Sequence, residues 1–471
     1  RHYRLAEDAE HAVPYLVQAA LRAQGRASHS SACQFLRQAL ALYPRDTSLA
    51  LPPRSDLLRS LADSAAVLGL YDEALSSARL ARDMLGDSLA IAQIERTLGN
   101  LHERLGDYAK AAEHYAEAAR RSPEESLRNR VQLDLAWLAL RQGDHDACLA
   151  ACSQVLRHAE ADVDALGMAH SLRGVAYDRL GRWQDASSAH RAALNLRIRR
   201  RDRFGMASSL NNWGMALTEL GDWPEAERLY NRSLKLYERI GDPSRASAVR
   251  NNLGDLAARR GNLEAAEKLH REALSRREKL GDRFGVGASH CALGWVIALK
   301  GDLDEGGKLI RDGVAILEAI GERELLAEAY QALGRIALEG RRYPEAEARL
   351  AKALGLSHFD RNPLQRAIVH RLRGQLRLEL GDMAGARDEI MEAARMLEGL
   401  SHPLERARTQ VLRSRLLRAE GRCAEATAML SMALMTFERL GAHRDRALAS
   451  LEDSPPDPLG GFAEAPGGLA R

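Results

Sequence analysis

The chain has 471 residues, of which 28% are charged and 5% aromatic, and a formal charge of +3. That length exceeds what one compact core accommodates, so the chain is either several domains or an array without a central core. The small net charge, with acids and bases interspersed, argues against a nucleic-acid binder, and no apolar run reaches membrane-spanning length.

Alanine, leucine, arginine and glutamate dominate the composition, as expected of stacked amphipathic helices and not of sheets. The five cysteines, Cys33, Cys148, Cys152, Cys291 and Cys423, are odd in number and show no secreted framework. Reduced thiols in the cytoplasm are expected, and nothing reads as a signal peptide.

In chain order, Arg1-His2-Tyr3-Arg4-Leu5-Ala6 reads as the end of a helix already under way, which suggests a piece of a longer polypeptide. Ala12, Leu16 and Ala19 fit the second helix of a truncated pair, and Ala32, Leu36, Ala39 and Pro44 fit another, so residues 1–50 are expected to form opening helices. Leu51-Pro52-Pro53 marks a longer connection into a regular array over 51–442. Within it, Gly69, Gly106 and Gly143 recur every thirty-seven residues. Then Gly181, Gly221, Gly261, Gly301, Arg341 in the glycine slot, Gly381 and Gly421 recur every forty. A second series, Gly241, Gly281, Gly321 and Gly441, runs twenty residues out of phase, so each half-repeat is one helix and one turn.

Around Gly221 the unit is legible in detail. Gly214, Ala226 and Ser233 are small, and the same slots recur as Gly254, Ala266, Ala273 and as Gly374, Ala386, Ala393. Small residues at these offsets let two antiparallel helices, a first and a second in each repeat, approach closely. Gly221 ends the first helix, Asp222 caps the second, Pro224 lies in its first turn, and Glu225 is placed to complete a capping box. Asp107, Asp144, Asn262, Asp302 and Asp382 repeat the cap. Gly306, Gly307 and Gly313 fall inside one second helix, which suggests either a soft hinge or close packing against the next repeat. Beyond His443 the helical pattern gives way to a Pro- and Gly-rich stretch, so 443–471 is expected to be a disordered tail.

These slots, with Tyr71, Tyr108, Trp183 and Trp223 two residues after the turn glycine, resemble the tetratricopeptide repeat over about residues 11 to 442. The resemblance implies an all-α superhelical solenoid of about ten helix pairs that binds proteins or peptides. Leu-Gly-Asp at repeat ends, with Leu210-Asn211-Asn212 and Asn251-Asn252-Leu253, is similar to kinesin-light-chain-like repeats and Leu-Gly-Asn-type adaptors. His2-Tyr3-Arg4-Leu5-Ala6 followed by Ala12-Val13-Pro14-Tyr15-Leu16 resembles the start of the tetratricopeptide region in large bacterial signalling ATPases, often joined to a kinase, cyclase or DNA-binding domain.

On the first helices, residues spaced three and four apart form a stripe toward the inner curve. It comprises Ser208, Asn211, Met215 and Thr218, then Asn251 and Asp255, Cys291 and Trp295, Gln331 and Arg335, and Arg371 and Gln375. Amides there could bond a peptide backbone and arginines meet its acids; solvated polar residues or contacts between repeats are the alternative. Cys148 and Cys152, with His145 and His158 nearby, share a helix face but occupy packing slots, so core cysteines are expected instead of metal ligands. His190 and His270 take the slot of Tyr115 and Tyr230. The run Arg197-Ile198-Arg199-Arg200-Arg201-Asp202-Arg203 reads as a solvated repeat junction. With no phosphate loop, zinc helix or nucleophile elbow, no catalytic, cofactor or metal site is expected.

The expected function is protein binding, as the scaffold or sensor portion of a larger bacterial signalling or regulatory ATPase whose N-terminal domains precede Arg1. A free-standing adaptor is the alternative, and a nucleic-acid-binding solenoid a third reading that needs one continuous basic face.

Overall fold

The computed structural model describes residues 9–26, 28–44, 51–158, 162–322, 324–359 and 362–452. Among them are 23 α-helices and no strand, wound as a solenoid of the tetratricopeptide type. The chain divides into two compact units, Arg1–Ala176 and Tyr177–Arg471, at the place where the glycine spacing passes from the thirty-seven-residue series ending at Gly143 to the forty-residue series beginning at Gly181.

In the first unit, α1 (Ala9–Gly25) and α2 (His29–Leu42) pair with each other and lead into α3 (Arg54–Val67) and α4 (Tyr71–Asp83). Val13, Cys33 and Leu36 share one core with Leu57, Leu61 and Ile94. The opening helices are therefore one antiparallel pair continuous with the array, where the spacing suggested two separate second helices. The pairs α5 (Ser88–Arg104) with α6 (Tyr108–Arg121) and α7 (Glu125–Arg141) with α8 (His145–His158) follow. Cys148 and Cys152 are fully buried there beside Val155 and Ala169, which is the packing role their slots suggested. Helix α9 (Val163–Arg179) crosses the division.

The second unit continues with α10 (Trp183–Arg199), α11 (Arg203–Leu220), α12 (Trp223–Ile240), α13 (Pro243–Arg260), α14 (Leu263–Leu280), α15 (Arg283–Leu299) and α16 (Leu303–Ala319). After these come α17 (Glu324–Glu339), α18 (Tyr343–Phe359), α19 (Pro363–Glu379), α20 (Met383–Glu398), α21 (Pro403–Ala419), α22 (Cys423–Leu440) and α23 (His443–Leu451). Helix α23 occupies the start of the stretch expected to be tail: Ala449 is buried and Ala442, Ala449 and Phe437 share a core. Residues 453–471, like Arg1–Ala6, lie outside the described residues.

The small slots work by accepting a ring from the second helix. A Cβ added at Gly214 would stand 2.8 Å from the Tyr230 ring. The Tyr230 hydroxyl then reaches Thr218 Oγ1 at 3.1 Å, which satisfies a buried polar group. His270 lies under Gly254 in the same way, with Nδ1 3.0 Å from Asn251 Oδ1.

The turns follow the expected chemistry with one difference. Gly221 has φ +88, the Asp222 N–H donates to Leu217 O at 2.9 Å, and the Asp222 carboxylate accepts the Glu225 N–H. Because the Asp222 N–H already closes the preceding helix, Glu225 does not complete a capping box; it pairs with Arg228 instead. Asp107, Asp144, Asn262, Asp302 and Asp382 all cap as expected.

The glycines of α16 permit close approach to α15, the helix before it. A Cβ at Gly306 would lie 2.6 Å from Gly294 O, and one at Gly313 2.7 Å from Gly287 O. The helix is unbroken across them, so backbone contact accounts for glycines that cost about 0.8 to 1 kcal/mol each in helix propensity. Replacing Gly306 with Val is expected to destabilise the second unit by about 1 to 3 kcal/mol, read as a lowered urea midpoint. Arg341 holds φ +56 in a glycine slot. Arg341→Gly is accordingly expected to stabilise by about 1 kcal/mol in the same measurement.

Candidate inner-ring binding site

The first helices of the second unit do more than line a curve. Helix α11 contacts α13, and the chain of neighbours continues through α15, α17 and α19 to α21, which returns to contact α11; α23 likewise contacts α13. Six inner helices thus form a closed ring. The seam is built from turn glycines of early repeats seated on late ones: a Cβ at Gly181 would lie 2.6 Å from Leu400 Cδ2, and Gly221 stands against Leu440 and Pro403. A Cβ at Gly261 would lie 3.2 Å from Arg444. Leu210, Leu229 and Leu256 share one hydrophobic core with Leu404, Leu430 and Phe437, so burial holds the ring shut.

A buried ionic group completes the seam. His402 Nε2 lies 2.8 Å from Glu219 across 183 residues of sequence, and its Nδ1 accepts the Glu405 N–H at 3.1 Å, which makes Nε2 the protonated nitrogen of the neutral ring. Glu219 also takes a fork from Arg259, at 2.8 and 3.1 Å. Burial works to raise the Glu219 carboxyl, but Arg259 and His402 outweigh it and hold it at about 2. The His402 ring meets Trp183 edge-on at 5.4 Å.

The residues of the inner stripe fall into two groups. Several are engaged in the ring's own structure: Arg371 pairs with Glu405 at 2.9 Å, nearly buried on both sides, and Glu405 also accepts from Arg408 at 2.6 Å. Arg408 in turn forks Asp445 at 2.7 and 2.9 Å. Although burial opposes it, the guanidiniums of Arg371 and Arg408 hold Glu405 well below the usual carboxylate range. Thr218 Oγ1 donates to Gly214 O of its own helix and meets the Tyr230 hydroxyl of the second, and Asn251 is occupied by His270. Asn211 accepts from Asn252 at 2.9 Å, joining neighbouring repeats.

The second group is open to the ring's interior. Met215 is 44% exposed, Gln375 is half-buried, and Trp295 carries the Arg335 guanidinium 4.7 Å above its ring, with Arg335 also bonded to Glu339 at 3.0 Å. Asp255 is half exposed to water, yet Glu219, Arg259 and Glu328 all act on it. Glu328 lies on α17 across from α11 and α13. Burial, then the charges of Asp255 and Glu219, push its carboxyl up to about 7. Both carboxylates are wetted but enclosed.

Sequence reasoning did not single out Glu328, although it occupies the Ser208 slot three repeats on, nor Glu219 and Arg259, which stand one residue past the named stripe. In the first unit it also omitted a 260 Å³ cleft between α5 and α7, lined by Gln93, Arg96, Asn100, Ser126 and Arg130 among others, where Arg96 is forked to Asp134. The basic run behaves as a junction: Arg197 bonds Asp202, which caps α11, and Arg201 has φ +54 in a turn-glycine position. Among the described residues no group of three metal-capable side chains occurs, and no helix is long and apolar enough to cross a membrane.

The fold is that of a tetratricopeptide-type solenoid. Tetratricopeptide repeat models match residues 205–279 and, with a second model, 96–165 and 332–399. Among solved structures the chain is similar to a Rap protein complexed with Competence and Sporulation Factor (12% identity over 74% of this chain and 98% of that one, TM-score 0.59). Aspartyl phosphate phosphatase F from Bacillus subtilis is similar at 12% identity over 74% and 94%, TM-score 0.51. These likenesses are of fold. No curated protein matches the sequence.

Leu440→Ala is expected to speed hydrogen exchange at the Gly221 turn and the end of α22 while leaving α15 and α16 protected, since it removes a seam contact worth about 2 kcal/mol. The two carboxyls at the ring's interior act on stability with opposite sign. Glu219, lowered in the folded chain, contributes stability that is present above its unfolded value and lost as pH falls through about 2. Glu328, raised to about 7, contributes stability present below about 4.3 and lost as pH rises through about 7. The urea midpoint is therefore expected to fall between about pH 5 and pH 8, and Glu328→Gln to flatten that decline.

Proposed function

We propose that the chain is a protein-interaction scaffold whose second unit holds an extended polypeptide along the interior of its inner ring. The observation that carries this reading is the division of labour just described: one set of inner side chains closes the ring, and another, Met215, Asp255, Trp295, Glu328 and Gln375, faces inward with capacity to spare. A ring lined by exposed apolar, amide and charged groups suits main-chain bonding combined with side-chain selection. The Rap structure complexed with Competence and Sporulation Factor supports the idea that a solenoid of this type accommodates a bound factor.

The finer reading is a cytoplasmic sensor or scaffold portion of a larger bacterial signalling or regulatory ATPase, supported by the opening motif and by five free cysteines. Occupancy would be reported by a change in curvature at the seam, since the inner helices that bind also close the ring. A photo-crosslinking residue at Met215 or Gln375 is expected to capture a partner polypeptide in extracts, whereas one at the outer position Lys235 is not. Equal capture from inside and outside, or none from inside, would overturn the reading. For the signalling role the measurement is the activity of the parent chain with and without residues 51–442; unchanged regulation would sink it.

A further inference from the structure

Most charged groups around the ring have partners: Glu219 has Arg259 and His402, Glu405 has Arg371 and Arg408, and Asp445 has Arg408. Asp255 on α13 and Glu328 on α17 differ. Among the described residues neither has an arginine or lysine within ion-pairing distance. Glu328 accepts one bond, from Gln365 Nε2 at 3.0 Å, and the nearest basic atom to Asp255 is His270 Nε2 at 3.5 Å.

That histidine supplies the independent sign of a missing donor. His270 is fully buried, with Nδ1 directed at the Asn251 carbonyl oxygen, so Nε2 presents a lone pair toward Asp255 and has no hydrogen-bond partner. Burial pushes the imidazole down, which keeps it neutral. One turn beyond Glu328, Gln331 Oε1 is also buried without a donor. His270 Nε2 and Gln331 Oε1 are thus buried acceptors with no donor among the described residues, standing beside two carboxylates that lack a basic partner, and a native fold rarely leaves such acceptors orphaned.

The other charges acting here do not fill the gap. Arg259 is committed to Glu219, Arg277 donates to Gly285 O and Ser289 Oγ, and Arg179 is engaged as well. Between α13 and α17 stands α15, which turns Ala288, Ala292, Trp295 and Leu299, all uncharged and half-buried, to the same side. The acceptors thus flank a mainly apolar face, whose Trp295 ring is covered by an Arg335 already bonded to Glu339, an arrangement that suits an organic cation with N–H donors and a hydrocarbon stem.

We infer that Asp255, Glu328 and Gln331 form a subsite for an alkylammonium or guanidinium group, supplied by a lysine or arginine of a linear peptide or by a free polyamine. The inference rests on the reading of the ring interior as the binding face. It names the chemistry that face selects.

The test is calorimetric titration of the full chain with three probes: a short acetylated and amidated peptide of alternating Ala and Lys, its Ala-Glu counterpart, and spermidine. The Ala-Lys peptide is expected to bind, and Asp255→Asn with Glu328→Gln to weaken it about tenfold or more, equivalent to about 1.4 kcal/mol. Asp255→Lys, which tethers an ammonium in the subsite, is expected to abolish binding with the circular dichroism unchanged. Glu264→Gln with Glu272→Gln, on the outer helix α14, should leave it intact. Spermidine bound with the same dependence on Asp255 and Glu328 assigns the subsite to free polyamines; binding of the peptide alone assigns it to a basic side chain. Undiminished binding by the variants, or none by the native chain, overturns the subsite. If the Ala-Glu peptide alone binds and shields a crosslinker at Met215, the subsite fails while the ring interior stands as the binding face. If no probe shields Met215 or Gln375 and no partner is captured there, that reading fails too.

Discussion

The architecture depends on how closely the two helices of each repeat can approach. A small residue on the first helix receives a ring or branched side chain from the second, as Gly214 receives Tyr230, Gly254 receives His270 and Gly374 receives Ile390. Because interiors are close-packed, this contact fixes the separation of the pair, and repetition converts a fixed separation into a fixed curvature. In the second unit that curvature brings α21 back to α11, where the turn glycines Gly181 and Gly221, which end helices in the early repeats, leave room for Leu400 and Leu440.

Closure changes the electrostatics of the inner face. On an open curve, Glu219, Arg259, Arg371 and Arg408 would be ordinary solvated side chains, each contributing a few tenths of a kcal/mol at most. Inside a ring they lose much of their water, so every carboxylate must find donors or shift its proton affinity. Glu219 and Glu405 find cationic donors and stay ionised; Glu328 has only the neutral Gln365 amide, and moves to about 7. Paired residues hold the ring closed, and those without a charged partner are the ones available to the proposed ligand.

Much of this was legible in sequence, and the boundary has a physical cause. The glycine ladder, the small slots and the Asx caps act within one helix pair, so they recur at fixed offsets and can be read by counting. Arg341 occupying a glycine position with φ +56 shows that the ladder constrains backbone conformation even where the residue type departs from it. The seam left no such trace. His402 and Glu219 are 183 residues apart and each sits at an ordinary repeat position, so nothing local distinguishes a histidine that caps α21 and closes a ring from one that merely caps. The same blindness explains the inner stripe: Arg371 and Asp255 are equivalent in kind as sequence, one consumed by Glu405 and the other left open, and only long-range contacts separate them.

A closed ring also constrains how a partner can arrive. With Leu400, Leu440 and Arg444 seated on the early repeats, the seam is closed, so a polypeptide held in the interior, as proposed, would have to thread from an end or part the seam. Parting exposes apolar surface shared by Leu210, Leu256, Leu404 and Phe437 and uncouples Glu219 from His402, at a cost that a ligand must recover from its own contacts. Threading avoids that cost but admits only a chain with a free end. A bound cationic group at Asp255 and Glu328 would relieve the repulsion that Glu328 feels from Glu219, a seam residue, so occupancy and closure are thermodynamically linked through one carboxylate. By reciprocity, closing the seam would tighten binding of that group by the same factor by which the bound group favours closure.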